Sequence, residues 1–280
     1  MKISVIIPTY NRRQLLDFTL DALRKQTLAK DQYDVIVVDD GSTDDTRAVV
    51  DSHRPFQDIK YIYQDDLGFR AAAARNLGIA SSKHEICVGI DTGILLHKDA
   101  LRCHQAAHES TTHDIAVNAY TYAFQQHDAT ARQLIQAIDL QDLEGTLRTF
   151  ERQKIHLDIR EEVYSHFADD MNRMPAPWAL FWGCHTSVKR QVLLDVGLFD
   201  NRFESWGCED DELAYRLYKQ GIAFKLCRNA CGIHYPHPKN ETENTDSGLR
   251  NLEYMYAKHK DPVILERGEK GWENLNLMSA

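Results

Sequence analysis

The stretch Trp206-Gly207-Cys208-Glu209-Asp210-Asp211-Glu212-Leu213 sets four carboxylates in a row behind a Trp-Gly pair, where an amphipathic helix reads as starting. The helix dipole favours one or two acids in a first turn, and four behind a tryptophan exceed what a cap needs. Adjacent acids in different environments suit chemistry in which one carboxylate takes a proton and another holds a polar substrate. A second acidic site, Asp39-Asp40-Gly41-Ser42, closes an apolar run. It reads either as a turn capped by Ser42 or Thr43, or as a carboxylate accepting hydrogen bonds from a base or ribose. A third, Asp91-Thr92-Gly93, also follows an apolar run. Cys227, Cys231, His234 and His237 carry zinc-ligand types, at a spacing short for a tetrahedral structural site.

The elements that must position these residues follow an alternating pattern. Runs at 3–7, 35–38, 61–63 and 86–90 read as strands, and 46–52 and 71–80 as helices between them. Leu16, Leu20 and Leu23 share one face of another helix. Strands buried on both faces and joined by crossover helices imply a parallel α/β sheet, with ligands at the carboxyl ends of its strands. Pro8-Thr9-Tyr10-Asn11-Arg12, the Asp39–Ser42 turn and Asp91-Thr92-Gly93 all fall there. No G-x-G-x-x-G follows the first strand and no Walker A motif is present, which removes the main support for dinucleotide and P-loop sites. Asp-Thr-Gly is also an aspartic-protease signature, but that chemistry needs a second aspartate in an all-β setting. Residues 125–174 read as a mostly helical, polar insert ended by Pro175-Ala176-Pro177, with Leu134, Ile138, Leu143 and Leu147 at helical spacing. A second α/β segment follows, with 178–182, a helix around 187–195, the acidic helix and a strand at 224–226, then a polar C-terminal piece with a helix near 249–258.

Composition narrows the partners. The chain has 280 residues, 43% hydrophobic and 27% charged, as expected of a soluble globular protein. A formal charge of −9 argues against nucleic acid or an anionic membrane as main partner. No apolar run reaches the length of a signal peptide or a transmembrane segment, and six scattered cysteines suit free thiols, so a cytoplasmic location, free or peripheral to the inner membrane face, is expected.

Taken together, Pro8–Arg12, Val37-Val38-Asp39-Asp40-Gly41-Ser42, Gly68-Phe69-Arg70-Ala71, Ala74-Arg75-Asn76-Leu77-Gly78, Gly197-Leu198-Phe199-Asp200 and Trp206-Gly207-Cys208-Glu209-Asp210 resemble, in order, the motifs of the family 2 inverting glycosyltransferases of the GT-A fold. The Trp-Gly-x-Glu-Asp segment is galactosyltransferase-like. The resemblance covers roughly residues 1–110 and 176–260. It implies a Rossmann-like, mostly parallel α/β sheet flanked by helices, with a helical insert and a C-terminal helical extension. The implied organisation is a catalytic domain over 1–235, comprising a nucleotide-sugar half (1–110), an insert (120–175) and an acceptor-side half (176–235), followed by an extension over 236–280.

The resemblance also implies roles. Pro8, Thr9, Tyr10 and Asp40 would cradle uridine, and Arg12 with Arg70 or Arg75 would meet the diphosphate, where a guanidinium fork suits phosphate oxygens. Arg75 and Asn76 read equally as ties between helix and sheet. Relatives carry Asp-x-Asp after the fourth strand and bind Mn²⁺ (or Mg²⁺) there. Here Asp91 keeps the first acid and Gly93 replaces the metal ligand, leaving His234 as substitute, a metal-independent enzyme, or a weakened site. Trp182-Gly183-Cys184-His185-Thr186-Ser187 resembles the Gly-Gly-Asn-x-Ser segment of the donor-sugar pocket, with His185 in place of Asn. Asp210 would be the general base, Glu209 would hold substrate hydroxyls, Trp206 would stack on a sugar, and Asp211 and Glu212 would be cap and surface acids. The implied function is inverting transfer of a hexose or N-acetylhexosamine (Gal/GalNAc or Glc/GlcNAc) from a UDP-sugar to a saccharide, lipid-linked carrier or peptide. A non-catalytic or metal-independent sugar-nucleotide-binding protein and a nucleotidyltransferase are the alternatives.

Overall fold

The computed structural model describes residues 1–124, 128–238 and 241–278. The first third lays down β1 (Ile3–Thr9), α1 (Arg13–Arg24), β2 (Tyr33–Asp39), α2 (Thr46–His53), β3 (Ile59–Tyr63), α3 (Ala71–Ser81) and β4 (Ile86–Ile90). The strands lie in the order β3-β2-β1-β4, all parallel. β1 and β2 are buried almost throughout, as Ile/Val runs covered on both faces must be. α1 turns Leu16, Leu20 and Leu23 inward. α3 approaches β1 closely because Gly78 has no side chain; a Cβ there would lie 2.4 Å from Ile6 Cγ2.

The rest of the chain threads back through this sheet. It comprises β5 (Ile94–Leu96), α4 (Ala100–Glu109), β6 (Ile115–Tyr122), α5 (Asp128–Ala137), α6 (Leu143–Gln153), α7 (Glu161–His166), β7 (His185–Lys189), α8 (Arg190–Asp195), α9 (Glu209–Lys219), β8 (Ala223–His234), α10 (Glu241–His259) and α11 (Pro262–Leu277). The full order is β3-β2-β1-β4-β7-β6-β8-β5. β7 is antiparallel to β4 and β6, β5 is antiparallel to β8, and β6 and β8 are parallel. The result is the expected α/β architecture, a mostly parallel sheet flanked by helices. No described helix is long and apolar enough to cross a membrane.

Several elements differ from the sequence reading. Residues 178–182 form no strand: Pro177–Leu180 is a short 3-10 helix with proline in its first turn. A brief run that is apolar on every side carries no period to separate the two. The segment read as starting a helix at 187 begins with β7, whose polar His185 and Ser187 are nevertheless buried. β8 is 12 residues long rather than three, and α10 reaches 19. The insert is helical as expected, with Leu134, Ile138, Leu143 and Leu147 all buried, although its opening residues 125–127 lie outside the described residues.

A fully buried ion pair anchors the insert. Arg160 and Asp158 are 0% and 2% exposed. Arg160 Nε and Nη2 donate to the Asp158 carboxylate at 2.9 and 2.7 Å. Its Nη1 donates to Leu180 O at 2.8 Å, and the guanidinium lies 4.8 Å from the Trp182 ring centroid. Asp158 in turn accepts the Thr121 N–H of β6 at 2.8 Å.

Candidate active site

The loops after β1 and β2 are stapled to each other at the carboxyl edge. Asn11, in the left-handed region at φ 49°, accepts the Thr43 N–H at 2.8 Å and donates its own N–H to Ser42 Oγ at 2.8 Å. Asp39 is taken up internally by Tyr61 Oη and Ser42 N–H. Asp40, 7% exposed, accepts the Arg70 N–H at 2.9 Å and the Gln64 amide, with the Arg70 guanidinium 3.5 Å away. Gly41 is obligatory in this turn: its φ is +92°, and a Cβ would sit 2.4 Å from Asp66 N. Asp66 receives the hydroxyl of exposed Tyr10 at 2.8 Å. Pro8 O accepts from Thr92 Oγ1 at 2.9 Å, and Thr9 Oγ1 is buried without a hydrogen-bond partner. Pro8, Thr9, Tyr10, Asp40 and Arg70 are therefore brought together. Arg70, however, is committed to Asp40 and to the carbonyl of Asp65, not held open for phosphate. Arg12 is half-buried; burial lowers its pKa while the charge of Asp91 opposes that.

Arg75 is the hub of the site. Its guanidinium donates to Asp91 Oδ1 at 2.9 Å and to Glu209 Oε1 at 3.0 Å, joining α3 to the end of β4 and, across 134 residues of chain, to the acidic helix. Only 7% exposed and gripped by two carboxylates, it organises the site rather than offering a free phosphate fork. Asn76 is likewise a tie, exchanging hydrogen bonds with the backbone of Phe199 at 2.8 and 2.9 Å. Burial and the adjacent Asp210 raise the Glu209 pKa, with Arg75 opposing, and Glu209 Oε2 has no hydrogen-bond partner.

The four acids divide sharply. Asp210 is part-exposed and its carboxylate is aimed by two backbone donors, Gly183 N–H at 2.7 Å and Asp211 N–H at 2.9 Å. Asp211 and Glu212 are not surface acids. They are 1% and 0% exposed, because α10 and α11 cover them. Asp211 pairs with Arg267 at 2.6 Å, and burial pushes its pKa up to about 7. Glu212 is shared by Arg216, Lys258 and His259. Trp206 stays 46% exposed. The C-terminal partners went unnoticed in the sequence, since no periodicity marks which buried face of a helix carries a partner for an acid.

His234 ends β8 opposite Ile94, and the next N–H, of Tyr235, donates to Gly93 O at 2.9 Å. Its backbone therefore runs beside the turn that begins at Asp91. Gly93 has φ +102°, a backbone that a side-chain-bearing ligand would strain. Asp91 gives one oxygen to Arg75, and its side chain is 37% exposed. A carboxylate and an imidazole fit a Mn²⁺-type cation that brings its other ligands as diphosphate oxygens and water. Among the described residues no three His, Cys, Asp or Glu side chains gather into a cage, those of Cys227, Cys231, His234 and His237 included.

An aromatic ladder backs His234. Its ring meets Phe124 at 5.1 Å, Phe124 stacks on Trp182 at 5.1 Å, and Trp182 meets Trp272 edge-on at 5.2 Å. Trp182 is thus largely buried, at 8% exposed. His185 turns elsewhere. It is 1% exposed, its Nε2 lies 3.1 Å from His104 Nε2, and His104 and His108 both reach Ser187 Oγ, at 2.8 and 2.9 Å. The fold does not bring His185 to Arg75 and Asp210, because this network occupies its ring.

Burial lowers the pKa of all three histidines, that of His108 to about 4 and that of His185 to about 3. A depressed histidine pKa means the unfolded chain binds the proton first, so this stability is present above about pH 6.5 and is lost as pH falls toward the folded values. Each histidine contributes up to about 1.4 kcal/mol per pH unit in that window. Asp211 and Glu209, with raised values, act in the opposite sense. Urea unfolding of His108→Asn against wild type between pH 7 and 4.5 isolates one group. The variant should lose roughly one proton's worth of slope below pH 6.5; parallel pH curves would rule out a neutral buried His108.

Two family models match this chain: glycosyl transferase family 2 over residues 4–171, and the N-terminal domain of galactosyltransferase over residues 164–240. The chain belongs to glycosyl transferase family 2. Among curated relatives, validoxylamine A glucosyltransferase of Streptomyces hygroscopicus subsp. jinggangensis is 35% identical over 257 residues, covering 92% of this chain and 61% of that protein. Chondroitin synthase of Escherichia coli is 27% identical over 277 residues, covering 96% and 40%. The family 2 chain thus spans less than two thirds of the length of these relatives. Staphylococcus aureus TarS in complex with UDP-GlcNAc matches the fold with a TM-score of 0.65 at 16% identity, covering 92% of this chain and 66% of that one. A Pyrobaculum calidifontis mannosyltransferase in complex with GDP-Man and Mn²⁺ matches with 0.64 at 19% identity, covering 92% and 63%. These structural likenesses place the family 2 chain in the GT-A-like fold.

Proposed function

We propose that this protein is an inverting glycosyltransferase that moves a hexose or N-acetylhexosamine from a UDP-sugar to an acceptor hydroxyl. The observation that carries the reading is the part-exposed Asp210 carboxylate, fixed by the Gly183 N–H at 2.7 Å in the turn next to the Arg75-tied pair of Asp91 and Glu209. A glucosyltransferase among the relatives and a UDP-GlcNAc complex among the fold neighbours favour the donor class.

In this mechanism the Pro8–Tyr10 strand end and Asp40 receive uridine, and half-buried Arg12 faces the diphosphate. Asp210 accepts the acceptor's hydroxyl proton as the oxygen attacks the anomeric carbon from the face opposite the leaving diphosphate. One displacement inverts the configuration, giving a β-linkage from an α-linked donor. Glu209, buried and held by Arg75, backs the site rather than facing solvent, and Trp206 offers an exposed ring face. A divalent cation, when bound, would offset charge building on the leaving group, with Asp91 and His234 as its protein ligands.

The test is UDP release and product formation with a panel of UDP-sugars, with and without Mn²⁺. At least one donor should turn over, and His234→Ala should weaken metal-dependent donor binding while leaving the fold intact. No UDP release under any condition would make the protein a sugar-nucleotide binder instead. An unchanged metal response in His234→Ala would remove that residue from the site.

A further inference from the structure

The turn that delivers Asp210 is not self-supporting. Gly207 (φ 101°) and Cys208 (φ 68°) lie consecutively in the left-handed region immediately before α9, and Cys208, as its N-cap residue, makes no side-chain capping hydrogen bond. Positive φ at a non-glycine residue is costly and persists only where the surroundings over-determine it. The surroundings here are α10. The Asn251 side-chain amide donates to three successive carbonyls, Ser205 O at 3.1 Å, Trp206 O at 3.2 Å and Gly207 O at 2.8 Å. Ser247 Oγ donates to Trp206 O as well. Gly248 brings the helix close: a Cβ on Gly207 would lie 3.3 Å from Gly248 Cα. Asn251 is 8% exposed, so little water is at hand to replace those bonds.

We propose that Asn251 is a positioning residue of the transfer site, holding the 205–207 turn so that Trp206 and Asp210 face the substrates together. It touches neither substrate nor reacting atoms. Its two amide hydrogens, shared among these three carbonyls, fix the peptide planes that set the direction in which α9 starts, and Asp210 is the second residue of that helix. The proposal rests on the assignment of Asp210 as the base.

Asn251→Asp tests it with little change of shape, because the carboxylate presents only acceptors to three carbonyls; Asn251→Ala deletes the contact. Tyr254→Phe is the control on the same helix, removing a 2.7 Å bond to Asp200 that has no part in the turn. At a temperature where all three variants are folded, both Asn251 variants should lose about 10²-fold in kcat, the scale of a small misplacement of a reacting group. UDP affinity should stay at the wild-type value, amide hydrogen exchange at 205–210 should accelerate, and Tyr254→Phe should do neither. Wild-type kcat in both Asn251 variants, or a loss no greater than that in Tyr254→Phe, overturns the proposal. If wild-type protein transfers no sugar, the exchange readout alone still decides whether Asn251 holds the turn. Failure of the functional reading is thereby told apart from failure of this one.

Discussion

Replacing Asp210 by Asn should lower kcat for sugar transfer by about 10²–10⁴-fold, the usual contribution of a positioned general base. That corresponds to roughly 3–5 kcal/mol of transition-state stabilisation. The amide oxygen of Asn can still accept the Gly183 N–H, and only the local bond from the Asp211 N–H is lost, so the side chain keeps its anchor to the 183 turn. UDP binding should stay as in wild type, because the uridine and diphosphate groups of the reading lie on the β1, β2 and β4 side. The contrast with the neighbouring acids sharpens the expectation: Asp211 and Glu212 are spent on Arg267, Arg216, Lys258 and His259. Single-turnover transfer assays with parallel UDP titrations would check it. Transfer within a factor of a few of wild type would force the base elsewhere.

The largest effect on stability should come from Arg160. Arg160→Met keeps most of the aliphatic volume but strands the Asp158 carboxylate at 2% exposure. Breaking a buried pair from one side costs about 3–5 kcal/mol, against a total stability of roughly 5–15 kcal/mol for a domain. Much of that cost is the unpaired charge, so Asp158→Asn combined with Arg160→Met should recover part of it. Chemical denaturation of the two single variants and the double variant measures the coupling. Strict additivity would mean the pair does not act as a unit.

The first half of this fold was legible because its physics is local. Continuous Ile/Val runs, the inward stripe of Leu16, Leu20 and Leu23, and the turns at their ends are all written within short windows. The same holds for the polar loops where Pro8–Arg12, Asp40 and Asp91 collect. What stayed hidden depends on distant partners. The helix read around 187–195 overlaps the end of β7, and the histidines of α4 are what make polar His185 and Ser187 acceptable inside a sheet. Asp211 and Glu212 looked like surface acids because Arg267, Lys258 and His259 stand far along the chain. Arg75 read as a phosphate ligand or a tie with equal reason, and its two carboxylate partners decide for the tie. The Asp91-Thr92-Gly93 departure was visible, while its backbone cause, the positive φ of Gly93, was not.

The strand order carries a consequence for cooperativity. β7, from the second half of the chain, is sewn between β4 and β6, and β5, from the first half, sits at the far edge beside β8. A fragment ending before β6 would leave β4 as a bare, wholly apolar edge, open to pairing with another copy. Neither half can then close its hydrogen-bond ladders alone. The sheet formed by the described strands has no seam between its two halves, so a loosening of its ladders around the nucleotide loops must stay local or become unfolding of the whole sheet.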